Sequence, residues 1–339
     1  MKLYSNEIVF RGHPDKVCDQ ISGAILKECV KQDKNTRAGI EVMGGKGKIF
    51  ITGEITTNAV FDTIKIAKRV LKSVGYSTNY EIIDNLGKQS ADIAQGVDIG
   101  GAGDQGMMFG YACNDTSEML PLAQVILQRF AKHYDELRKV YKDYYLPDGK
   151  AQITGLYDDN MKLQRIKTFV ISYQNTEQNR EQTDEFLKNY AIKLCEEYDI
   201  EIDEFLINPT GRFEIGGFDG DAGLTGRKIV VDAYQSFANV GGGCMNGKDA
   251  TKVDFSASHK AREIAKKMLI KNRLNWCEVQ LSYAIGKAEP MAIYITSDKG
   301  NIEPTQELYA ECTPKRIIKD LKLLEADYEK LAQYGHFTY

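Results

Sequence analysis

Four short stretches concentrate glycine, aspartate and Lys/Arg beyond what core packing requires. In Gly12-His13-Pro14-Asp15-Lys16, the proline and the acid mark a helix start, where unpaired backbone N–H groups favour an anion. A metal-bound phosphate suits that setting, with Asp15 taking Mg²⁺ and with His13 and Lys16 facing phosphate oxygens. The ordinary alternative is a first-turn helix charge beside a surface histidine. Gly101-Ala102-Gly103-Asp104-Gln105-Gly106 matches the GxGxxG dinucleotide fingerprint, which needs a hydrophobic strand before it and a helix after it. Here the preceding stretch, 90–98, is a polar loop, so a tight turn joined to a mobile lid fits better than a dinucleotide site. Asn208-Pro209-Thr210-Gly211-Arg212-Phe213 runs on to Gly220-Asp221-Ala222-Gly223-Leu224-Thr225-Gly226-Arg227-Lys228. It offers close backbone approach, an aromatic face for a base and two cations for phosphate, or else is a glycine-rich hairpin with solvated charges. Gly241-Gly242-Gly243-Cys244-Met245-Asn246-Gly247-Lys248-Asp249 and the following Lys252 and Asp254 repeat that chemistry. This is not a Walker A loop, because Lys248 is followed by Asp249 rather than Ser or Thr; a surface turn is its ordinary reading. Together the four describe a site for a metal-bound polyphosphate, with Asp15 and Asp254 as candidate ligands.

Strands and helices that could position these segments alternate along the chain. Helical spacing of apolar residues predicts helices over 14–31, 57–74, 118–140, 183–198 and 256–271. In the last, Ala261, Ile264, Ala265 and Met268 face inward. Short β-branched or alternating runs predict strands over 48–55, 166–173, 228–232 and 278–285. The mixture indicates an α/β or α+β protein. Glycine-rich breaks near 96–106 and 211–226 divide the chain into three units of roughly 100 residues, without a visible sequence repeat.

The chain has 339 residues, 42% hydrophobic and 27% charged, within the range of globular proteins. With 44 basic and 48 acidic residues its formal charge is −4, so nothing draws it globally to nucleic acid or anionic lipid. Glu7 interrupts the N-terminus too early for a signal peptide, and no stretch approaches the roughly 18 apolar residues of a membrane span. Seven scattered cysteines without a CxxC pair argue against a disulfide framework or a structural zinc site and lead us to expect a cytoplasmic protein.

In their order and type these segments resemble the signature segments of the methionine adenosyltransferases (S-adenosylmethionine synthetases). Gly53-Glu54-Ile55-Thr56-Thr57, Gly87-Lys88-Gln89-Ser90, Phe109-Gly110-Tyr111-Ala112 and Ser282-Tyr283-Ala284-Ile285-Gly286 agree as well, so the likeness runs from about Ser5 to Phe337. The resemblance implies three similar α/β domains with pseudo-threefold symmetry, at 1–98, 103–216 and 217–339. It also implies a homodimer or homotetramer with active sites at the dimer interface, two Mg²⁺ per site, and K⁺. By similarity, the catalytic positions are His13, Lys150, Arg227 and Lys248. ATP contacts fall on His13, Asp148, Lys150, Arg212, Phe213, Asp221, Arg227, Lys228, Cys244, Lys248 and Ile285. Methionine contacts fall on Glu54, Gln89, Asp221 and Lys252. Asp15 and Asp254 match the Mg²⁺ positions and Glu41 the K⁺ position, and 93–100 matches a gating loop.

The implied reaction suits this inventory. A methionine thioether is already a neutral nucleophile, so attack on the ribose C5′ needs alignment and compensation of about four negative charges on the leaving triphosphate, not a general base. The chain departs from the family pattern in a shorter stretch between Val97 and Gly101, in Cys244-Met245-Asn246, in Phe255 where arginine is usual, and in its ending at Tyr339. The alternatives are an NAD(P)-dependent dehydrogenase, which the polar loop before Gly101 disfavours, and a non-catalytic nucleotide-binding regulatory paralogue of the same fold. The complete ionic set disfavours the latter.

Overall fold

The computed structural model describes residues 1–88, 101–176 and 178–337. Among them are twelve strands: β1 (Lys2–Val9), β2 (Arg37–Gly45), β3 (Lys48–Thr56), β4 (Glu81–Gly87), β5 (Gly106–Cys113), β6 (Gly149–Tyr157), β7 (Leu163–Tyr173), β8 (Ile202–Ile207), β9 (Gly223–Leu224), β10 (Trp276–Tyr283), β11 (Ala292–Ser297) and β12 (Gly300–Asn301). The long helices are α1 (Pro14–Gln32), α2 (Thr63–Val74), α3 (Leu122–Val140), α4 (Arg180–Glu196) and α5 (Val253–Asn272). Period-two alternation is plain in β10, where Cys277, Val279, Leu281 and Tyr283 are buried and the residues between them are not.

The strands form three four-stranded sheets, ordered β4-β3-β2-β9, β1-β6-β7-β8 and β12-β11-β10-β5. Each is built on an antiparallel hairpin: β2–β3, β6–β7 or β10–β11. On the outer side of each hairpin's first strand lies a strand from a different third of the chain. β1 pairs with β6, β5 with β10, and β9 with β2, all antiparallel. Each third therefore lends its first strand to the next sheet, in a cycle that closes after three. A long helix precedes each hairpin: α1 and α3 with 19 residues, α5 with 20. The repeated order of strand, helix and hairpin is the threefold pattern that the side chains hide. Helix and sheet approach closely where α5 crosses β5: a Cβ on Gly110 would lie 2.0 Å from the carbonyl carbon of Ala261.

Two expectations are corrected. The 228–232 run is not a strand but one turn of helix, Ile229–Asp232, with Lys228 at its N-cap. Its β-branched residues lose to a tertiary demand: the turn delivers the Asp232 carboxylate to 2.7 Å from Lys16 Nζ, inside the protein. Lys16 therefore does not face phosphate. It is 1% exposed and holds Asp19 at 3.2 Å as well as Asp232. Burial alone would lower its pKa, but the two carboxylates reverse that and keep it charged. Helix boundaries also move. α2 begins at Thr63, where the Asp62 side chain accepts the Lys65 N–H at 2.9 Å, so Val60 lies outside it.

All seven cysteines are free, and no helix among the described residues is long and apolar enough to cross a membrane. On α5, against the rings of His336 and Phe337, burial lowers the His259 pKa to about 4. The unfolded chain then binds a proton between about pH 6.5 and 4 that the folded chain refuses, so this stabilisation is present above pH 6.5 and lost as pH falls toward 4. Thermal unfolding should show His259→Phe losing about 2 kcal/mol less than the unsubstituted protein between pH 7.5 and 5. Equal losses would show that His259 is protonated in the folded state.

Candidate active site

Pro14 opens α1, and His13 caps it by accepting the Asp15 N–H on Nδ1 at 3.2 Å. That bond leaves the ring proton on Nε2. Asp15 is fully buried, yet it is surrounded by donors. Its Oδ1 accepts the Leu224 N–H at 2.9 Å and lies 3.4 Å from Arg227 Nε, while Lys228 Nζ reaches Oδ2 at 2.5 Å. These donors arrive because β9 is threaded against the α1 start. A Cβ on Gly223 would lie 2.3 Å from the Pro14 carbonyl oxygen, so the sequence needs glycine there. Burial, then the nearby Lys228, lowers His13 to about 4 against the opposing pull of Asp15. Lys150 and Asp221 also act on this ring. Asp148 accepts the Gly149 and Gly217 N–H groups at 2.7 and 2.8 Å, and burial nevertheless raises it to about 6. The first ionic group is thus His13, Asp15, Lys150, Asp221, Arg227 and Lys228, with Asp148 at its edge.

Beside it lies a recess of about 350 Å³ lined by Arg227, Lys228, Asn6, Glu7 and Gln152. Glu7 carries no chemical signal in the sequence. On an alternating strand an acid reads as a solvated outer residue, and only the β1–β6 pairing and the 227–228 turn give it these neighbours.

The second ionic group is carried by β2, β3, the glycine-rich run and the first turn of α5. Lys248 Nζ meets Asp254 Oδ2 at 2.6 Å, and Lys252 Nζ meets Glu54 Oε1 at 2.8 Å. The run is fastened to β2 by the Ile40 N–H on the Gly247 carbonyl, 3.0 Å, and by the Ala38 N–H on Asp249 Oδ2, 2.8 Å. Gly243 lies against the acid: a Cβ there would stand 1.9 Å from Asp254 Oδ1. Burial raises the Glu41 pKa, Lys248 opposes that, and Asp19 adds to it. Cys244 sits where the two groups approach, since a Cβ on Gly226 would be 2.8 Å from the Cys244 Cβ. Its thiol is pushed well above the usual range by burial, so it is no nucleophile.

Other expected positions lie apart from these groups. Arg212 is solvent-exposed and paired with Glu214 at 2.7 Å; Phe213 is half-buried, its carbonyl accepting the Asn175 N–H at 2.9 Å. Ile285 is 53% exposed at the turn after β10. That turn bonds the GAGDQG segment through the Gly286 N–H on the Ala102 carbonyl, 2.8 Å. The hexapeptide opens into strand β5 rather than a helix, which removes the dinucleotide reading. Gln89 and the 93–100 stretch lie outside the described residues. Among the described residues no three His, Cys, Asp or Glu side chains gather as a metal cage. Two separate carboxylates among cations suit Mg²⁺, which binds through one or two carboxylates plus substrate phosphates.

The chain matches three family descriptions in succession: S-adenosylmethionine synthetase, N-terminal domain over 1–95, central domain over 99–213 and C-terminal domain over 215–339. It belongs to the S-adenosylmethionine synthetase family. Its three α/β units are those of that fold. Among similar proteins, the S-adenosylmethionine synthase of Clostridium tetani is 41% identical, the match covering 99% of this chain and 94% of that protein. The one of Staphylococcus epidermidis is 42% identical, with 99% and 92% covered. A synthetase of this family is an enzyme, and the polyphosphate chemistry read from the glycine-rich segments is the chemistry its substrate ATP calls for.

Proposed function

We propose that the chain makes S-adenosylmethionine from ATP and L-methionine and hydrolyses the displaced triphosphate to pyrophosphate and phosphate. The observation that carries this reading is the pair of carboxylate–cation groups, Asp15 with Arg227 and Lys228, and Asp254 with Lys248. The methionine sulfur forms a bond to C5′ as the C5′–O bond breaks, giving a sulfonium and a free triphosphate. No proton moves in that step, so the site needs alignment and charge compensation. Arg227, Lys228, Lys248 and Lys150 hold the triphosphate. The neutral His13 donates its Nε2 proton as a hydrogen bond to oxygen as negative charge develops there. Asp15 and Asp254 would hold two Mg²⁺ and Glu41 a K⁺; Mg²⁺ bound there neutralises phosphate charge. Glu7 is a further carboxylate of the same recess.

The Lys252–Glu54 ion pair stands in for a zwitterion. The methionine ammonium takes Glu54 and its carboxylate takes Lys252, with Gln89 and Asp221 completing the subsite. Asp148, Arg212, Phe213, Cys244 and Ile285 contact the nucleoside. The exposed positions of Arg212 and Ile285 support a site completed by a second copy, in a homodimer or homotetramer. We take the sequence units as 1–98, 103–216 and 217–339, and the free cysteines support a reducing cytoplasm.

Product formation from ATP and methionine tests the reaction itself. Sharing of the site between copies is tested by mixing His13→Asn and Lys248→Ala subunits under conditions of subunit exchange. If His13 and Lys248 of different copies serve one site, mixed dimers regain one intact site. The mixture should then recover about a quarter of normal activity, half the dimers having one good site of two. No recovery despite demonstrated exchange would place both residues of each site in one chain.

A further inference from the structure

The two segments that carry the triphosphate cations, Arg227–Lys228 and the glycine-rich run ending at Lys248, are joined by residues 229–240, and residues 335–337, distant in sequence, touch both. The His336 N–H donates to the Asp232 carbonyl at 3.3 Å, one turn beyond Lys228. Gly335 allows this approach: its φ is +103°, and a Cβ there would lie 2.6 Å from the Asp232 oxygen. Phe337 stacks on Tyr234, with ring centroids 5.0 Å apart and planes 2° from parallel. On the other side, His336 Nε2 meets Asn246 Oδ1 at 2.8 Å, and both residues are 4% exposed. The imidazole also packs edge-on against Phe255, the residue after Asp254, at 5.8 Å.

We propose that His336 is a positioning residue for the triphosphate. Through Asp232 and Asn246, residues 335–337 clip the Arg227–Lys228 segment to the glycine-rich run and hold the cations of each ionic group in place for the triphosphate that each serves. This rests on the triphosphate assignment made above. The run needs such a tie. Its later part is fastened to β2 through Gly247 and Asp249, whereas 241–246 holds Gly243 against the Asp254 carboxylate and Cys244 beside Gly226. His336 grips that earlier part at Asn246. Without the ring N–H, the buried Asn246 oxygen has lost its donor, and the run must shift to hydrate it. Lys252, anchored separately by its N–H on the Asp249 carbonyl at 3.0 Å, keeps its place opposite Glu54. The clip therefore bears on phosphate and spares methionine.

The test uses the full chain with Mg²⁺ and K⁺, assayed for hydrolysis of inorganic tripolyphosphate and, separately, for the complete reaction. His336→Phe keeps an aromatic ring against Phe255 and removes the donor. It should raise KM for tripolyphosphate about tenfold. Asn246→Ala should do the same, and the double variant should be no worse than either, because both delete one bond. KM for methionine should stay within about twofold. His336→Gln, with an N–H at similar reach, should recover most of the loss. A folded His336→Phe with an unchanged tripolyphosphate KM overturns the proposal, as do effects that multiply in the double variant or a methionine KM that rises equally. If His336→Phe does not fold, Asn246→Ala decides alone by the same two constants. An unsubstituted protein inactive on both substrates refutes the triphosphate reading itself; an active one with unmoved variants refutes only the clip.

Discussion

Replacing Lys248 by alanine should lower turnover by roughly 10²–10³-fold, the usual cost of removing one preorganised charge from a developing polyanion. This lysine is held on Asp254 at 2.6 Å, and its side chain is 19% exposed, so it is a charge kept ready in a partly desolvated place. Triphosphate carries more charge as a leaving group than as part of ATP, so the loss should fall on kcat more than on KM for ATP. Lys248→Arg should not restore it, because a planar guanidinium cannot present the same compact charge in the space bounded by Gly243 and Asp254. Steady-state rates with ATP and methionine decide this. Unchanged turnover and ATP affinity in Lys248→Ala would remove the residue from the site.

Asp15→Asn should be nearly as damaging and should be distinguished by its metal dependence. The amide keeps the shape and can still accept the Leu224 N–H, but it removes the charge that Lys228 and Arg227 now share. If Asp15 holds Mg²⁺, the concentration needed for half-maximal rate should rise at least about tenfold, with a residual rate lower by roughly 10². A rate that falls with an unmoved Mg²⁺ curve would make Asp15 an anchor for Lys228 rather than a metal ligand. An unmoved rate would exclude both roles.

What the sequence made legible follows from the range of the interactions involved. The start of α1, the inward face of α5 and the alternation in β10 are local, written in Pro14, in the apolar spacing of Ala261, Ile264 and Ala265, and in Val279, Leu281 and Tyr283, although α5 begins three residues before the expected 256 and β10 spans 276–283 rather than 278–285. The cyclic strand exchange has no local signature, because the partner of Lys2 is Tyr157 and that of Gly106 is Tyr283. The 228–232 run shows the same limit from the other side. Its β propensity was read correctly, but a buried Lys16 needing Asp232 decided its shape. Beside a candidate metal ligand Lys16 looks available for phosphate, and only packing shows that two carboxylates already occupy it. The acids and cations of the site were readable as types. Their division into two groups depends on β9 meeting α1 and on the glycine-rich run meeting β2.

Purified protein incubated with ATP, methionine, Mg²⁺ and K⁺, then analysed by mass spectrometry and a phosphate assay, addresses the reaction itself. The proposed chemistry predicts S-adenosylmethionine with equal amounts of pyrophosphate and phosphate. ATP bound by folded protein with neither sulfonium nor phosphate formed would contradict it, and would mean that this chain keeps the synthetase fold as a nucleotide-binding partner without turnover.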